Sequence, residues 1–241
     1  MKLNHLLLLA VLLLAGFTTQ AQSYAFGVKG GLTVGIQNWS GFEQDPLFKY
    51  HGIVYVESAP EDNAFALFAQ AGYHVKGSAI RNRFASNIIN NQIVRFTREF
   101  QFRNVSIAVG AKQKYQIGFN ARTYYLFGIR GDYTINTNFG SFNESRAQFG
   151  LFYPLDDFVQ RFTYGGILGG GFEFPFSELI GCIVELTINP DFSYAYRQPQ
   201  IPNVVNPFTG NNTTLSERLI RNVAIELTVG MRFLHKIEYI D

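Results

Sequence analysis

The sequence predicts an all-β fold: a single eight-stranded antiparallel transmembrane up-and-down β-barrel. Three observations predict it. Segment after segment alternates apolar with small or polar residues at period two, the signature of strands whose two faces meet different surroundings. These segments run longer than the usual strand of roughly five or six residues. They suit the about 9–11 residues that a tilted strand needs to cross a bilayer. The connections between them alternate long and short, as in barrels with short turns on one side of a membrane and long loops on the other.

The chain opens with Lys2, an apolar run over 6–15 and the exit Thr18-Thr19-Gln20-Ala21-Gln22. A basic start, a short apolar core and a small-residue exit predict a cleaved secretory signal peptide over 1–22. The apolar core is shorter than the about 20 residues of a membrane helix. Residues 23–241 then form one domain, a size of about 220 residues that suits one unit. The 20 basic and 18 acidic residues nearly balance, which excludes a strongly basic nucleic-acid binder. One cysteine, Cys182, allows neither an internal disulfide nor a multi-cysteine zinc site. Hydrophobic residues make up 47 % of the chain, yet no long apolar run follows the leader, so membrane helices are excluded. Aromatic residues at 16 % fit the girdles of a barrel.

The first strand, 24–36, sets Tyr24, Phe26, Val28, Leu32, Val34 and Ile36 against Ala25, Gly27, Lys29, Gly31, Thr33 and Gly35. The second, 49–58, sets Tyr50, Val54 and Val56 against His51, Ile53, Tyr55 and Glu57. A compact turn at 59–63 leads to the third, 64–76. Phe65, Leu67, Tyr73 and Val75 share one of its faces; Phe68, Gln70, His74 and Lys76 share the other. Residues 77–98 read as a polar external loop with Arg81, Arg83, Arg95 and Arg98. The fourth strand spans 99–115, with Val105, Ile107 and Val109 opposite Asn104, Ser106 and Ala108. After a short turn, the fifth covers 121–135, with Tyr125, Phe127, Ile129 and Tyr133 opposite Tyr124, Leu126, Arg130 and Asp132. Residues 136–161 form an aromatic loop. The sixth strand, 162–174, sets Phe162, Tyr164, Leu168 and Phe172 against Thr163, Gly165, Gly169 and Glu173. The seventh is 182–196, with Val184, Leu186 and Ile188 opposite Glu185, Thr187 and Asn189. A loop over 197–218 precedes the eighth strand, 219–233, where Val223, Ile225, Leu227 and Val229 oppose Ala224, Glu226, Thr228 and Arg232. The external loops are then 37–48, 77–98, 136–161 and 197–218.

The second face decides the orientation. It is rich in glycine and carries Lys29, Arg130, Glu173, Glu185, Glu226 and Arg232. The water-facing wall of a soluble barrel would hold more charge and less glycine, whereas a narrow eight-strand interior needs small residues beside a few long ones. Charges inside must pair, because removing them from water is costly. Three acids and three bases among those six residues predict an interior ion network, and the apolar face points to lipid.

Residues Phe26-Gly27-Val28-Lys29-Gly30-Gly31-Leu32, after an Ala-Gln signal exit, resemble the opening strand of the PorT-like outer-membrane barrel proteins of Bacteroidetes-type bacteria. The hairpin from 103–114 to 124–133 is similar to that family's central hairpin. The resemblance implies an eight-stranded barrel in the bacterial outer membrane and a link to export of proteins across the envelope. It implies no catalytic residue. The segment 234–241 runs past Phe233, whereas many such barrels end on an aromatic residue.

No nucleotide-binding or metalloprotease motif occurs. The glycines at Gly165, Gly166, Gly169, Gly170 and Gly171 sit inside a strand and serve packing. His51, His74 and His235 have no metal-like neighbour in sequence. A lipid hydrolase built from His51 and His74 with Ser58 or Ser106 is the weakest reading. The four loop arginines are expected to hold lipopolysaccharide phosphates through charge-assisted bonds; an anionic partner site is the sharper alternative. Trp39, Phe42, Phe48, Phe139, Phe142, Phe149, Phe152 and Tyr153 crowd the external loops as girdle, cap or binding surface. The expected role is a structural or interaction barrel, with no catalysis, cofactor, metal or nucleic acid. Its expected partners are outer-membrane lipids and envelope or secretion proteins. A small-solute channel is the runner-up, and a lipid-modifying enzyme comes third.

Overall fold

A computed structural model describes residues 23–39, 44–59, 64–86, 93–118, 121–142, 153–206 and 209–236. The predicted signal peptide, Phe42, Phe149, Phe152 and the tail 237–241 lie outside the described residues. Eight strands close into a ring: β1 (Ser23–Ile36), β2 (Asp45–Ser58), β3 (Phe65–Ser86), β4 (Ile93–Ile117), β5 (Ala121–Thr137), β6 (Phe162–Pro175), β7 (Ile180–Pro190) and the last strand of the chain. Four short strands intervene first, β8 (Tyr196–Gln198), β9 (Ile201–Val205), β10 (Asn212–Leu215) and β11 (Arg218–Ile220), so the last is β12 (Val223–Lys236). Each barrel strand pairs antiparallel with its neighbour in sequence, and β1 closes on β12. No helix of the described residues is long and apolar enough to cross a membrane; the crossing is made by strands.

Burial follows the alternation. Ala25, Gly27, Lys29, Thr33 and Gly35 point into the ring, while Tyr24, Phe26, Val28, Leu32 and Ile36 stand exposed on its outer wall. Ile107 is 65 % exposed, Ile129 67 % and Leu227 50 %, with polar neighbours turned inward on the same strands. A wall so apolar has lipid, not water, as its solvent. The closure requires glycine at Gly31, where any Cβ would collide with the Leu227 carbonyl of β12.

Several boundaries differ from expectation. Strand β2 begins at Asp45 rather than 49, so 45–48 of the expected loop 37–48, Phe48 included, pair with β1 or β3. Residues 77–98 are mostly strand: β3 has 22 residues and β4 has 25, paired as far as Ser86↔Ile93. Beyond lipid a hairpin ladder satisfies its own backbone groups, so no apolar alternation is needed and the sequence there looks like loop. From His74 to Ile80 every β3 residue is buried, including Val75, which the alternation put on the outer face. A register shift in the β2–β3 ladder between Pro46 and His51 accompanies this change, with buried Leu47 set against Gly77. Strand β7 stops at Pro190, because proline has no N–H for the ladder; the Phe192 and Ser193 amides donate instead to the Tyr164 carbonyl. The final barrel strand begins at Val223 rather than 219, since 218–220 pair with β8 in the loop region.

Candidate functional site

The ring leaves a narrow lumen, and its inward side chains fill it in three polar layers beneath an aromatic plug. The layer nearest the short turns is built on Glu57. Its carboxylate accepts from Lys112 at 2.9 Å, Lys114 at 2.8 Å and Arg232 at 3.3 Å. Lys114 also pairs with Glu173 at 2.8 Å. Lys29 donates to Glu185 at 2.7 Å, and the Tyr124 hydroxyl donates to the other Glu185 oxygen at 2.9 Å. The Lys112 ammonium lies over the Tyr124 ring, 4.6 Å from its centre.

The middle layer is His51, His74 and Glu226 with two threonines. His51 Nδ1 is 2.9 Å from Thr33 Oγ1, and its Nε2 is 3.0 Å from Thr228 Oγ1. His74 Nδ1 lies 2.7 Å from Glu226 Oε1. His51 and His74 are direct cross-strand partners, with ring centres 5.5 Å apart. The donor atoms of His51, His74 and Glu226 all fall within 4.8 Å of one another.

The third layer lies toward the loops. Lys76 bridges Asp132 at 2.8 Å and Asp191 at 3.1 Å; Arg130 binds the same two acids at 2.9 Å and 2.7 Å. Asn222 donates to Asp191 at 3.0 Å and accepts from Gln37 at 2.5 Å. The Gln37 Oε1 atom accepts from Ser78 at 2.8 Å and from the Trp39 indole at 2.8 Å. Trp39 thereby joins the polar lumen to the plug, where it packs with Ile80, Phe100, Phe102, Phe139, Phe142 and Tyr196. Arg218 is buried in that plug with its guanidinium 5.8 Å from the centre of the Trp39 ring. Burial pushes its pKa down to about 10, against the upward pull of Tyr196.

All six residues predicted for the interior network are buried in the lumen: Lys29, Arg130, Glu173, Glu185, Glu226 and Arg232. Only Lys29 and Glu185 pair with each other. The other partners are Glu57, His74, Lys76, Lys112, Lys114, Asp132 and Asp191, which sequence reasoning did not place in the network. The missing signal was parity. Lys112 and Lys114 continue the inward face of Asn104, Ser106 and Ala108, and Asp191 continues that of Glu185, Thr187 and Asn189. The described lumen holds six carboxylates and six Lys or Arg side chains, so it balances with both histidines neutral.

The hydrolase constellation is not assembled. Ser58 Oγ accepts from the Leu67 amide at 2.9 Å, and Ser106 Oγ donates to the Gly72 carbonyl at 3.5 Å, while His51 is held by threonines. Of the four loop arginines, all lie on the extended β3–β4 hairpin. Arg81 stacks over Phe48 at 5.3 Å, Arg95 and Arg98 are exposed, and the Arg83 side chain lies outside the described set. Of the loop aromatics, Trp39, Phe139, Phe142 and Tyr153 are in the plug, and Phe48 stands exposed.

No family model and no curated protein matches the chain. Solved structures similar to it include a major outer membrane protein from Thermus thermophilus, 11 % identical over 88 % of this chain and 98 % of that one, with a TM-score of 0.47. Neisserial surface protein A is 11 % identical over 88 % of this chain and 96 % of its own, with a TM-score of 0.46. The attachment invasion locus protein of Yersinia pestis, in complex with the heparin analogue sucrose octasulfate, is 9 % identical over 88 % and 99 %, with a TM-score of 0.38.

Proposed function

We propose that the protein is a closed barrel of the bacterial outer membrane whose role is structural or interactive, neither a pore nor an enzyme. One observation carries this reading. Three layers of paired side chains and an aromatic plug stand in series along the lumen, with Lys76, Lys112, Asp132 and Glu57 at most 1 % exposed. A diffusing solute would have to break buried ion pairs, each break leaving an uncompensated charge at a cost of about 3–5 kcal/mol.

The interaction surface in this reading is the β3–β4 hairpin, which runs on past the plug and carries Arg81, Arg83, Arg95 and Arg98. Its guanidinium groups suit phosphates of lipopolysaccharide at the membrane edge. The resemblance to PorT-like barrels makes envelope export machinery the protein partner to look for. The test has two arms. Planar-bilayer recordings of the purified barrel are expected to show no steady conductance; a reproducible open level would overturn the closed reading in favour of a small-solute channel. Replacing all four arginines by glutamine is expected to reduce co-purifying lipopolysaccharide or envelope proteins. Unchanged recovery of both, together with unchanged stability in detergent, would remove the hairpin as the interaction surface.

A further inference from the structure

We propose that His51, His74 and Glu226 form a binding site for a divalent transition-metal cation of the zinc class. This goes beyond the role argued above and does not depend on it. Two imidazoles and a carboxylate are the donor set such ions favour. Their donor atoms lie within 4.8 Å of one another, and all three residues are buried. A tetrahedral ion with bonds of about 2.0–2.1 Å sets its ligands roughly 3.3 Å apart, so binding requires the three side chains to draw in from that spacing. Thr228 stands two residues along β12 on the same face as Glu226, its hydroxyl 3.0 Å from His51 Nε2, and offers an oxygen as a fourth donor. Thr33 holds the other His51 nitrogen, as outer partners of ligating histidines do.

A second observation points the same way. Each other lumen carboxylate has a lysine or arginine within ion-pair distance: Glu57, Asp132, Glu173, Glu185 and Asp191. Among the described residues Glu226 has only His74. Glu226 thus has no lysine or arginine of its own; the cation that balances it lies in the turn-side layer, where Lys29, Lys112, Lys114 and Arg232 outnumber Glu57, Glu173 and Glu185, and a bound divalent ion would meet the carboxylate directly. The donors come from β2, β3 and β12, with Thr33 on β1, so the ion would tie together the strands on both sides of the seam where the ring closes. Donors this deeply buried take up the ion as the barrel forms, and binding then adds to folding stability.

The experiment refolds the full mature chain from urea into detergent micelles after chelator treatment, with zinc, with magnesium or with no added cation. Desalted samples are assayed for bound metal, and a cobalt-loaded sample is recorded for the visible bands of a four-coordinate ion. The expected result is about one zinc per chain, no retained magnesium and a higher unfolding temperature with zinc. Glu226→Gln and His74→Asn are expected to lower zinc affinity at least about tenfold, while His235→Asn on the exposed end of β12 leaves it unchanged. Circular dichroism and heat-modifiable gel migration confirm that each variant forms the barrel. The wild-type arm decides even where a variant misfolds. A wild-type barrel that refolds equally well in chelator and holds no zinc overturns the site. Undiminished zinc in the folded Glu226→Gln, His74→Asn double variant does the same.

Discussion

Glu57 Oε1 and Lys114 Nζ lie 2.8 Å apart across the lumen, on strands that are not neighbours in the ring. The same carboxylate also meets Lys112 and Arg232, so one acid holds three cations from two strands. Glu57 is thus the point on which the turn-side layer depends. Glu57→Gln keeps the shape and removes the charge. With its side chain 0 % exposed, no solvent replaces what is lost. The expected cost is about 3–5 kcal/mol, the range for breaking a buried pair. A large fall in the urea midpoint of the detergent-folded barrel checks it; a midpoint within error of wild type would mean that Glu173 and Glu185 absorb all three cations unaided.

The outer wall makes a prediction whose size separates lipid from water. Ile107 is 65 % exposed in the middle of the apolar stripe of β4, between Val105 and Val109. On a water-facing wall Ile107→Arg would move stability by no more than about 0.5 kcal/mol. On a lipid-facing wall an arginine near the midplane costs about 2–4 kcal/mol. Unfolding from phospholipid vesicles rather than from water measures the difference. A loss below about 1 kcal/mol at both Ile107 and Ile129 would contradict the lipid-facing orientation.

Ring closure depends on an absent side chain. At Gly31 a methyl group would run into the Leu227 carbonyl and crowd Thr228, both on β12. Gly31→Ala must push β1 from β12 at the one seam where the first and last strands meet. Overpacking of this kind costs about 1–3 kcal/mol. The expected readout is slower appearance of the folded, heat-modifiable band during refolding, with Gly52→Ala, where an added Cβ meets nothing, as the neutral control.

How much of this was legible depends on what lipid demands of each residue. Where strands cross the apolar wall, side chains must alternate, so Val28 and Lys29, or Ile129 and Arg130, declare their faces by type and parity. That reading places all six expected network residues in the lumen. It did not name their partners, because pairing depends on how strands tilt past one another: Glu57 on β2 meets Lys112 on β4 over an intervening strand. The His51, His74 and Glu226 cluster has no local spacing at all, since Glu226 comes from the far end of the chain and joins only on closure. Outside lipid the constraint lapses. The paired run from Gly77 to Ser86 carries no alternation to betray it, and Trp39, Phe139, Phe142 and Tyr153 reach the plug from outside the barrel strands, where no strand parity marks which way they turn.

The plug and the polar layers are separate barriers, and they can be removed one at a time. Trp39 packs on Phe100 and Tyr196 with ring centres 5.2 Å apart in each pair, and its indole donates to Gln37 below. Trp39→Ala should cost about 3–5 kcal/mol of plug stability, as truncation of a buried large aromatic does. The external loops should then become sensitive to added protease while the membrane-embedded strands stay protected. Conductance should remain absent, because Lys76 and Arg130 still bridge Asp132 and Asp191 beneath the plug. Adding Lys76→Ala and Asp132→Ala removes one cation and one anion together, so the layer thins without gaining net charge. Steady conductance is expected only if that combined variant also clears the middle and turn-side layers, which it does not touch. Current through the Trp39→Ala barrel alone would instead make the aromatic plug the sole gate and the ion layers a permeable lining.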